Sequence, residues 1–140
     1  MSNPGTHGIL LVEDDLHSRE GMRHSLRAEG YQVEVAADLW EMTRLIKGDS
    51  FDVAIIDLDF LPLSGLEVSG WELTRIVRAH QPGIAIIVIG AEDGPEIRRQ
   101  AAVEGVAHFL EKPISLARIK ALVRGLRACG NGTCESAVVR

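Results

Sequence analysis

The chain alternates short apolar runs with longer stretches in which apolar residues recur at helical spacing. Four runs are almost continuously apolar, and they cover residues 9–12, 53–56, 84–89 and 106–110. A fifth, Gln32–Ala36, instead alternates polar and apolar side chains. Continuous apolar runs are typical of strands buried on both faces, whereas alternation indicates a half-exposed strand. The pattern therefore predicts four buried strands and one edge strand.

The stretches between these runs carry helix signals. The first predicted helix covers about 18–29 and ends before Gly30, and the second is opened by the capping box of Asp38 and Glu41. The third covers about 71–80. The fourth begins near Asp93 with Pro95 in its first turn, and the fifth is capped by Ser115. Strands that alternate with helices of this length imply βαβ units, so we expect a parallel sheet with helices on both faces. Because the edge-like strand is second in sequence, the natural strand order is 2-1-3-4-5.

Length and composition limit the class of protein. The 140 residues suit one domain, which we place at 1–128, followed by a flexible tail at 129–140 that holds Cys129 and Cys134 as free thiols. The net charge of −5 argues against direct nucleic-acid binding, which normally needs a basic patch. No apolar stretch approaches the roughly 20 residues that span a bilayer, and residues 1–7 lack the apolar core of a secretion signal. We expect a cytoplasmic protein with no membrane partner.

Ionisable groups follow three of the buried runs. Glu13 and Asp14 follow the first run, Asp57 follows residues 53–56, and Lys112 follows the last run. Ligands bind outside the carboxyl ends of parallel strands, so these groups are expected to meet at one edge of the sheet. Mg²⁺ needs only one or two carboxylates besides water and phosphate oxygens. The pattern predicts a Mg²⁺ site with Asp14 and Asp57 as direct ligands, Glu13 holding a coordinated water, and Lys112 facing a phosphoryl group.

Three sequence blocks carry a resemblance to a known family. Residues 9–15, 51–57 and 108–113 resemble the signature blocks of the receiver domain of two-component response regulators, and the similarity runs from about Gly8 to Ala128. The resemblance implies a flavodoxin-like (βα)₅ three-layer sandwich with a five-stranded parallel sheet. It also implies a cytoplasmic signalling domain, not an enzyme, which resembles the chemotaxis regulators.

The resemblance also implies roles for single residues. Asp57 would accept a phosphoryl group from a sensor histidine kinase or a phosphotransfer protein, with Mg²⁺ required. Glu13 and Asp14 take the positions of the family's acidic pair, and the backbone carbonyl of Asp59 would be a further metal ligand. Lys112 takes the phosphate-contacting position.

Two further positions matter for signalling in the family. Phe109 takes the place of its switch aromatic, although a buried core aromatic explains this residue equally well. Gly90 stands where the family has a threonine or serine, so the hydroxyl that binds the phosphoryl group in the active state is missing. We therefore expect weak coupling between phosphorylation and conformation, unless Ser64 or Ser69 supplies a hydroxyl.

The sequence departs from the family pattern in the loop after Asp57 as well. The glycine that opens the third helix is Gly70, 13 residues beyond Asp57, which implies an insertion of about five residues within 59–69. Asp59 and Glu92 lie two residues beyond Asp57 and Gly90, and we expect them to influence how long a phosphoryl group lasts. Lys112-Pro113 is a candidate for a cis peptide bond, because X–Pro bonds tolerate this form.

Two alternatives stay open at this level. Gly90 makes a phosphorylation-independent interaction module possible. The sequence Asp57-Leu58-Asp59 resembles the Asp-x-Asp motif of haloacid-dehalogenase-type phosphatases, but it follows the third predicted strand where that family uses the first. No DNA-binding or catalytic output segment is recognisable after Ala128, so we expect the output to be an unidentified downstream protein.

Overall fold

Strands and helices alternate along the whole described part of the chain. The structure is a computed structural model that describes residues 8–59 and 70–128. In chain order the elements are β1 (Gly8–Val12), α1 (Leu16–Ala28), β2 (Gln32–Ala36), α2 (Leu39–Gly48), β3 (Val53–Asp57), α3 (Gly70–His80), β4 (Ala85–Gly90), α4 (Pro95–Glu104), β5 (His108–Glu111) and α5 (Leu116–Ala128).

The five strands form one parallel sheet in the order β2-β1-β3-β4-β5. β1 and β3 pair with Leu11 beside Ile55, and β4 pairs with β5 with Val88 beside Phe109. β2 lies at the edge, and its Gln32 and Glu34 are exposed while Val33 is buried. The predicted flavodoxin-like fold, strand order and edge strand β2 are thus confirmed. β5, predicted as one of four buried strands, instead forms the second edge, with Phe109 and Leu110 buried on its two faces and Glu111 exposed.

Two apolar clusters lie on the two faces of the sheet. One cluster joins the sheet to α2, α3 and α4 and contains Met42, Leu73 and Ala101. The other joins the sheet to α1 and α5 and contains Met22 and Val123. Because alternate residues of a strand point to opposite faces, a continuously apolar strand supplies both clusters, which explains why the three central strands β1, β3 and β4 lack polar alternation.

Helix ends differ from the sequence predictions by up to two residues. α1 begins at Leu16, because the carboxylate of Asp15 accepts a hydrogen bond from the Ser18 N–H at 2.9 Å and caps the helix earlier than predicted. Asp38 caps α2 as predicted, by accepting a bond from the Glu41 N–H at 2.9 Å. The Glu41 carboxylate, however, accepts from the N–H of Ala37 and not from that of Asp38.

Other predictions concern loops and helix starts near the site and the end of the chain. The Lys112-Pro113 peptide bond is cis, as expected. Gly70 opens α3, as the family resemblance implies and one residue before the start that the apolar pattern predicts, and α4 begins at Pro95, two residues after Asp93. The predictions for the tail at 129–140 and for Ser64 and Ser69 lie outside the described residues. Among the helices that are described, none is long and apolar enough to cross a membrane.

Candidate functional site

The carboxyl ends of β1 and β3 bring three acidic side chains together. One carboxylate oxygen from each of Glu13, Asp14 and Asp57 lies within 4.8 Å of the others. Glu13 and Asp57 are each 2% exposed, and Asp14 is half-buried. β1 and β3 are hydrogen-bonded neighbours, with Val12 beside Ile56. Their ends therefore deliver the acidic groups to one point of the sheet edge.

Asp57 is held through both oxygens of its carboxylate. Its Oδ1 accepts a hydrogen bond from the backbone N–H of Asp59 at 2.9 Å. Its Oδ2 lies 3.1 Å from the ammonium of Lys112. The backbone beyond Asp57 is also tied down, because the Leu58 N–H donates to the Ile89 carbonyl at 2.7 Å. This carboxylate is thus fixed in orientation before any ligand arrives.

Glu13 responds to this environment by holding its proton. Burial, followed by the hydrogen bond and the negative charge of Asp57, raises the pKa of Glu13 to about 8. The backbone N–H of Asp15 and the charge of Lys112 act in the opposite direction but do not reverse the shift. Without a cation, the acidic cluster therefore relieves its repulsion through a proton on Glu13.

Lys112 bridges two carboxylates at this edge. Its Nζ lies 3.1 Å from Asp57 Oδ2 and 3.2 Å from Asp59 Oδ2. Burial works against the charged form, but the hydrogen bonds and charges of Asp57 and Asp59 outweigh it, and the pKa of Lys112 is raised. The backbone N–H of Lys112 donates to the Gly90 carbonyl at 2.9 Å. The pairing of β4 with β5 therefore sets where this ammonium lies.

Phe109 packs beside the site, at the end of β4. Phe109 is 6% exposed and belongs to the apolar cluster on the α3 and α4 side. Its ring lies against the buried Gly90 at the end of β4. Position 90 offers no side-chain hydroxyl, as the sequence shows.

The sequence analysis missed three contacts that support the site. It gave Asp59 a backbone carbonyl role and an influence on the lifetime of a phosphoryl group, but it did not predict that the Asp59 carboxylate binds Lys112. The Arg19 guanidinium donates to the carbonyls of Glu13 and Asp14 at 3.3 and 3.5 Å. Arg19 lies six residues after Glu13, so no local spacing rule pointed to it. Glu92, which was predicted to flank the site, is exposed.

The third missed contact is the close approach of α3 to the end of β3. A Cβ on Gly70 would lie 2.5 Å from Leu58 Cα and 2.8 Å from its Cδ2. Only glycine therefore lets α3 begin directly against the residue that follows Asp57. The sequence signal was available, since Gly70 was recognised as the residue that opens this helix.

The donor set fits a hard divalent cation. Carboxylate oxygens are the ligands that Mg²⁺ and Ca²⁺ prefer, and Mg²⁺ uses few of them because it keeps several waters. Burial, and after it the hydrogen bond and charge of Asp57, raise the pKa of Glu13 and so disfavour its charged form. A dication between Glu13, Asp14 and Asp57 would favour the charged form instead, because it compensates the negative charge of the carboxylates. The cluster thus has both the ligands and the electrostatic need for a metal ion.

Comparisons with known proteins give a consistent set of relatives. The family described as response regulator receiver domain matches residues 9–124. The response regulator MprA of Mycolicibacterium vanbaalenii is 36% identical over 118 residues, which cover 84% of this chain and 49% of that protein. The chain thus spans about half the length of the curated relatives it matches.

Solved structures agree with this result. The chemotaxis protein CheY4 of Vibrio cholerae has a TM-score of 0.77 at 26% identity, covering 87% of this chain and 99% of that one. A response regulator of Burkholderia pseudomallei, described with a phosphorylated aspartic acid, a calcium ion and citrate, has a TM-score of 0.71 at 23% identity. That likeness covers 89% of this chain and 75% of the other, and at this identity it concerns the fold.

Proposed function

Because the chain belongs to the response regulator receiver domain family, we propose that Asp57 accepts a phosphoryl group from a phosphohistidine on a sensor kinase or phosphotransfer protein. The observation that carries this proposal is the acidic triad beside Lys112. Asp57 is buried and oriented, a cationic group lies 3.1 Å from one of its oxygens, and two further carboxylates lie beside it. The Burkholderia pseudomallei regulator, which shares this fold, is described with a phosphorylated aspartic acid.

The transfer needs only one covalent step at this protein. A carboxylate oxygen of Asp57 attacks the phosphorus atom and forms a P–O bond, which makes an acyl phosphate. The P–N bond to the donor imidazole breaks, and its electron pair returns to the nitrogen. Positioning and charge neutralisation carry most phosphoryl-transfer catalysis. The hydrogen bond from the Asp59 N–H to Oδ1 supplies the positioning here, because it fixes the plane of the attacking carboxylate.

We assign the metal ligands to the same cluster. Asp14 and Asp57 would hold Mg²⁺ directly, Glu13 would hold a coordinated water, and the Asp59 carbonyl would complete the protein's contribution. When bound, the cation neutralises charge on the phosphoryl oxygens. Arg19 supports Glu13 and Asp14 through their backbone carbonyls, so it maintains the loop that carries two of the ligands.

Lys112 has the second electrostatic role. Its ammonium already faces Asp57 Oδ2 in the unphosphorylated protein. A phosphoryl group on Asp57 would present its own oxygens to Lys112, which can then exchange one anionic partner for another without losing compensation. We propose that this lysine is the main cation sensing the phosphoryl group, because position 90 has no hydroxyl.

Intact-mass measurement after incubation with acetyl phosphate tests the central proposal. We expect one added phosphoryl group per chain with Mg²⁺, and none after EDTA treatment. Asp57→Asn should abolish the adduct, while Asp52→Asn, an exposed acid at the opposite end of β3, should retain it. An adduct of unchanged yield in Asp57→Asn would refute the assignment, and continuous turnover of a model phosphate ester would favour a phosphatase instead.

Magnesium binding has a separate optical test. Trp71 lies in the first turn of α3 and packs against the core, whereas Trp40 is 70% exposed, so a Trp40→Phe background isolates the Trp71 signal. We expect Mg²⁺ to change the Trp71 fluorescence, and Asp14→Ala to abolish this change because it removes a direct ligand. A titration curve that is unchanged in Asp14→Ala would place the metal elsewhere.

A second candidate function is an interaction module that does not depend on phosphorylation. The observation that favours it is the absence of a hydroxyl at Gly90, but the retained acidic triad favours the phosphoacceptor. In both cases we propose that the signal passes to a protein partner in the cytoplasm. The family assignment supports the signalling role.

A further inference from the structure

One side of α2 carries an exposed aromatic ring and two cations. The helix buries Met42 and Ile46 in the core. The opposite side holds Trp40, Arg44 and Lys47, which follow one another at spacings of four and three residues and therefore lie in one line along the helix. Trp40 is 70% exposed, and both cations are exposed as well. We call these three residues the outer face of α2.

The two cations of this face have no hydrogen-bond or ion-pair partner within residues 8–59 and 70–128. Most other exposed cations in those ranges do have one, and Arg98, for example, binds Asp93 at 2.7 Å. Glu41 lies one turn before Arg44, but its carboxylate accepts a backbone hydrogen bond at the start of α2. Like charges one turn apart on a helix repel each other, so an added anion would stabilise both Arg44 and Lys47.

We propose that the outer face of α2 binds an acidic segment of a partner protein, with Trp40 as the apolar anchor and the two cations beside it. Tryptophan and arginine are enriched among the residues that contribute most to protein–protein binding. Single exposed apolar residues are common on protein surfaces, but Trp40 combines its ring with two unpaired cations in a chain whose net charge is −5. The local charge of this face is thus opposite to that of the whole chain.

The size of the face favours a protein segment over other anionic partners. Nucleic-acid-binding domains normally carry a basic patch or stripe, and anionic membranes are recognised by clusters of about four to eight basic residues. The outer face of α2 has two cations, and it extends about 10 Å along the helix at 1.5 Å per residue. A short segment that presents carboxylates beside an apolar side chain matches both its length and its charge.

This surface is separate from the phosphoacceptor site. Asp57 is buried at the end of β3, where the Asp59 N–H and Lys112 hold its carboxylate. The outer face of α2 is exposed on the helix that follows β2. The proposal therefore does not depend on phosphoryl transfer, and it is tested with unphosphorylated protein.

Trp40 fluorescence reports binding at this face. The chain has two tryptophans, so Trp71→Phe leaves Trp40 as the only source of the signal. The probe is a short amphipathic peptide of glutamate and leucine, and the same peptide with glutamine in place of glutamate is its control. We expect the glutamate peptide to shift the Trp40 emission to the blue, because it removes the ring from water. Added salt should weaken this binding, and the glutamine peptide should bind roughly five- to tenfold more weakly.

Variants of the face separate its charge from its ring. Arg44→Gln together with Lys47→Gln should lower the affinity for the glutamate peptide to that of the glutamine peptide. Arg99→Gln is the matched control, since it removes an exposed cation of α4 that pairs with Glu96, and it should keep the wild-type affinity. Trp40→Ala should abolish binding of the glutamate peptide in calorimetry. Circular dichroism checks that each variant is folded, and the comparison of the two peptides needs no substitution in the face.

Four results would overturn the proposal. No emission shift with the glutamate peptide, or equal affinity for both peptides, would show that the face does not select an acidic segment. Equal weakening in Arg99→Gln would indicate a general effect of charge. A blue shift that grows with protein concentration in the absence of peptide would make a second copy of this chain the occupant. A shift with phosphatidylglycerol vesicles but not with the peptide would make it a membrane surface.

Discussion

At the scale of single residues, the fold strongly raises the pKa of Glu13. Its pKa rises from 4.5 to about 8 because it is buried beside Asp57. A carboxyl group whose pKa is raised on folding favours the folded state while it is protonated. This contribution is complete below about pH 4.5 and is lost as the pH rises through about 8.

We therefore predict that metal-free protein loses stability between pH 4.5 and pH 8 through Glu13. Each pKa unit corresponds to about 1.4 kcal/mol, so the loss should reach a few kcal/mol. Urea unfolding in EDTA at several pH values measures it, and Glu13→Gln provides a control of equal size that does not titrate. Equal pH slopes in wild type and Glu13→Gln would contradict the prediction. Mg²⁺ should reduce the slope in wild type.

Gly70 illustrates a residue required by packing and not by chemistry. Gly70→Ala would place a methyl group 2.5 Å from Leu58 Cα, and backbone cannot give way as a flexible side chain does. We predict a loss of about 1–3 kcal/mol in the free energy of unfolding, the usual cost of overpacking.

The matched control for Gly70 is Gly21, which lies inside α1 with nothing within 4 Å of its Cβ position. Gly21→Ala should raise stability by about 0.5–1 kcal/mol, because alanine favours the helix. Chemical denaturation of both variants measures the difference. Similar effects of the same sign would show that the close approach to Leu58 is not what position 70 requires.

At the scale of elements, Gln81 joins three segments at the amino edge of the sheet. Its Oε1 accepts from the Phe51 N–H at 2.8 Å, just before β3. Its Nε2 donates to the carbonyls of Ile46 and Asp49 at 3.0 and 2.6 Å, at the end of α2. One side chain after α3 thus satisfies backbone groups of two neighbouring segments.

We predict that Gln81→Ala lowers the free energy of unfolding by about 1–3 kcal/mol, because the N–H of the buried Phe51 would lose its partner. Gln100→Ala is the control: its amide binds the Glu104 carboxylate, which Arg75 also binds. That variant should stay within about 0.5 kcal/mol of wild type, as is usual for surface substitutions. Equal losses in the two variants would argue against a joining role for Gln81.

At the scale of the whole molecule, the question is how far a signal at Asp57 spreads. A hydrogen bond to a charged group is worth about 1.5–3 kcal/mol, so we expect the missing hydroxyl at position 90 to lower the ratio of active to inactive conformations roughly ten- to a hundred-fold. α4 is also tied to α3, since Arg75 binds Glu104 at 2.7 and 3.0 Å and Arg78 donates to the Gly105 carbonyl at 2.8 Å.

We therefore predict that a phosphoryl mimic changes hydrogen exchange only near the pocket. With Mg²⁺ and beryllofluoride, the amides of residues 13–15 and 57–59 should exchange more slowly than without them, while the amides of α4 should exchange at the same rates. Asp57→Asn should show no change anywhere, which controls for non-specific effects of the ions. Altered exchange throughout α4 would mean that this domain switches without the hydroxyl.

Much of the architecture could be predicted from the sequence, because burial requires apolar residues in a periodic pattern. Runs such as 53–56 are apolar at every position, since both faces of a central strand are covered. Gln32–Ala36 alternates because an edge strand is partly exposed. The acidic residues and Lys112 could be assigned to one edge for the same reason, as parallel strands all present their carboxyl ends there.

Only the tertiary structure showed the contacts that depend on differences of a few tenths of an ångström in the distance between atoms. The sequence placed Asp59 near the site but could not show that its carboxylate shares Lys112 with Asp57. It showed that position 90 lacks a hydroxyl, yet only the packing revealed that the Phe109 ring lies against Gly90. Side-chain rotamers and neighbouring backbones set such distances, and residues far apart in the chain contribute to them. The periodicity of the sequence thus determined the layers of the fold and the edge of the sheet that carries the site, whereas side-chain packing determined the contacts within the site.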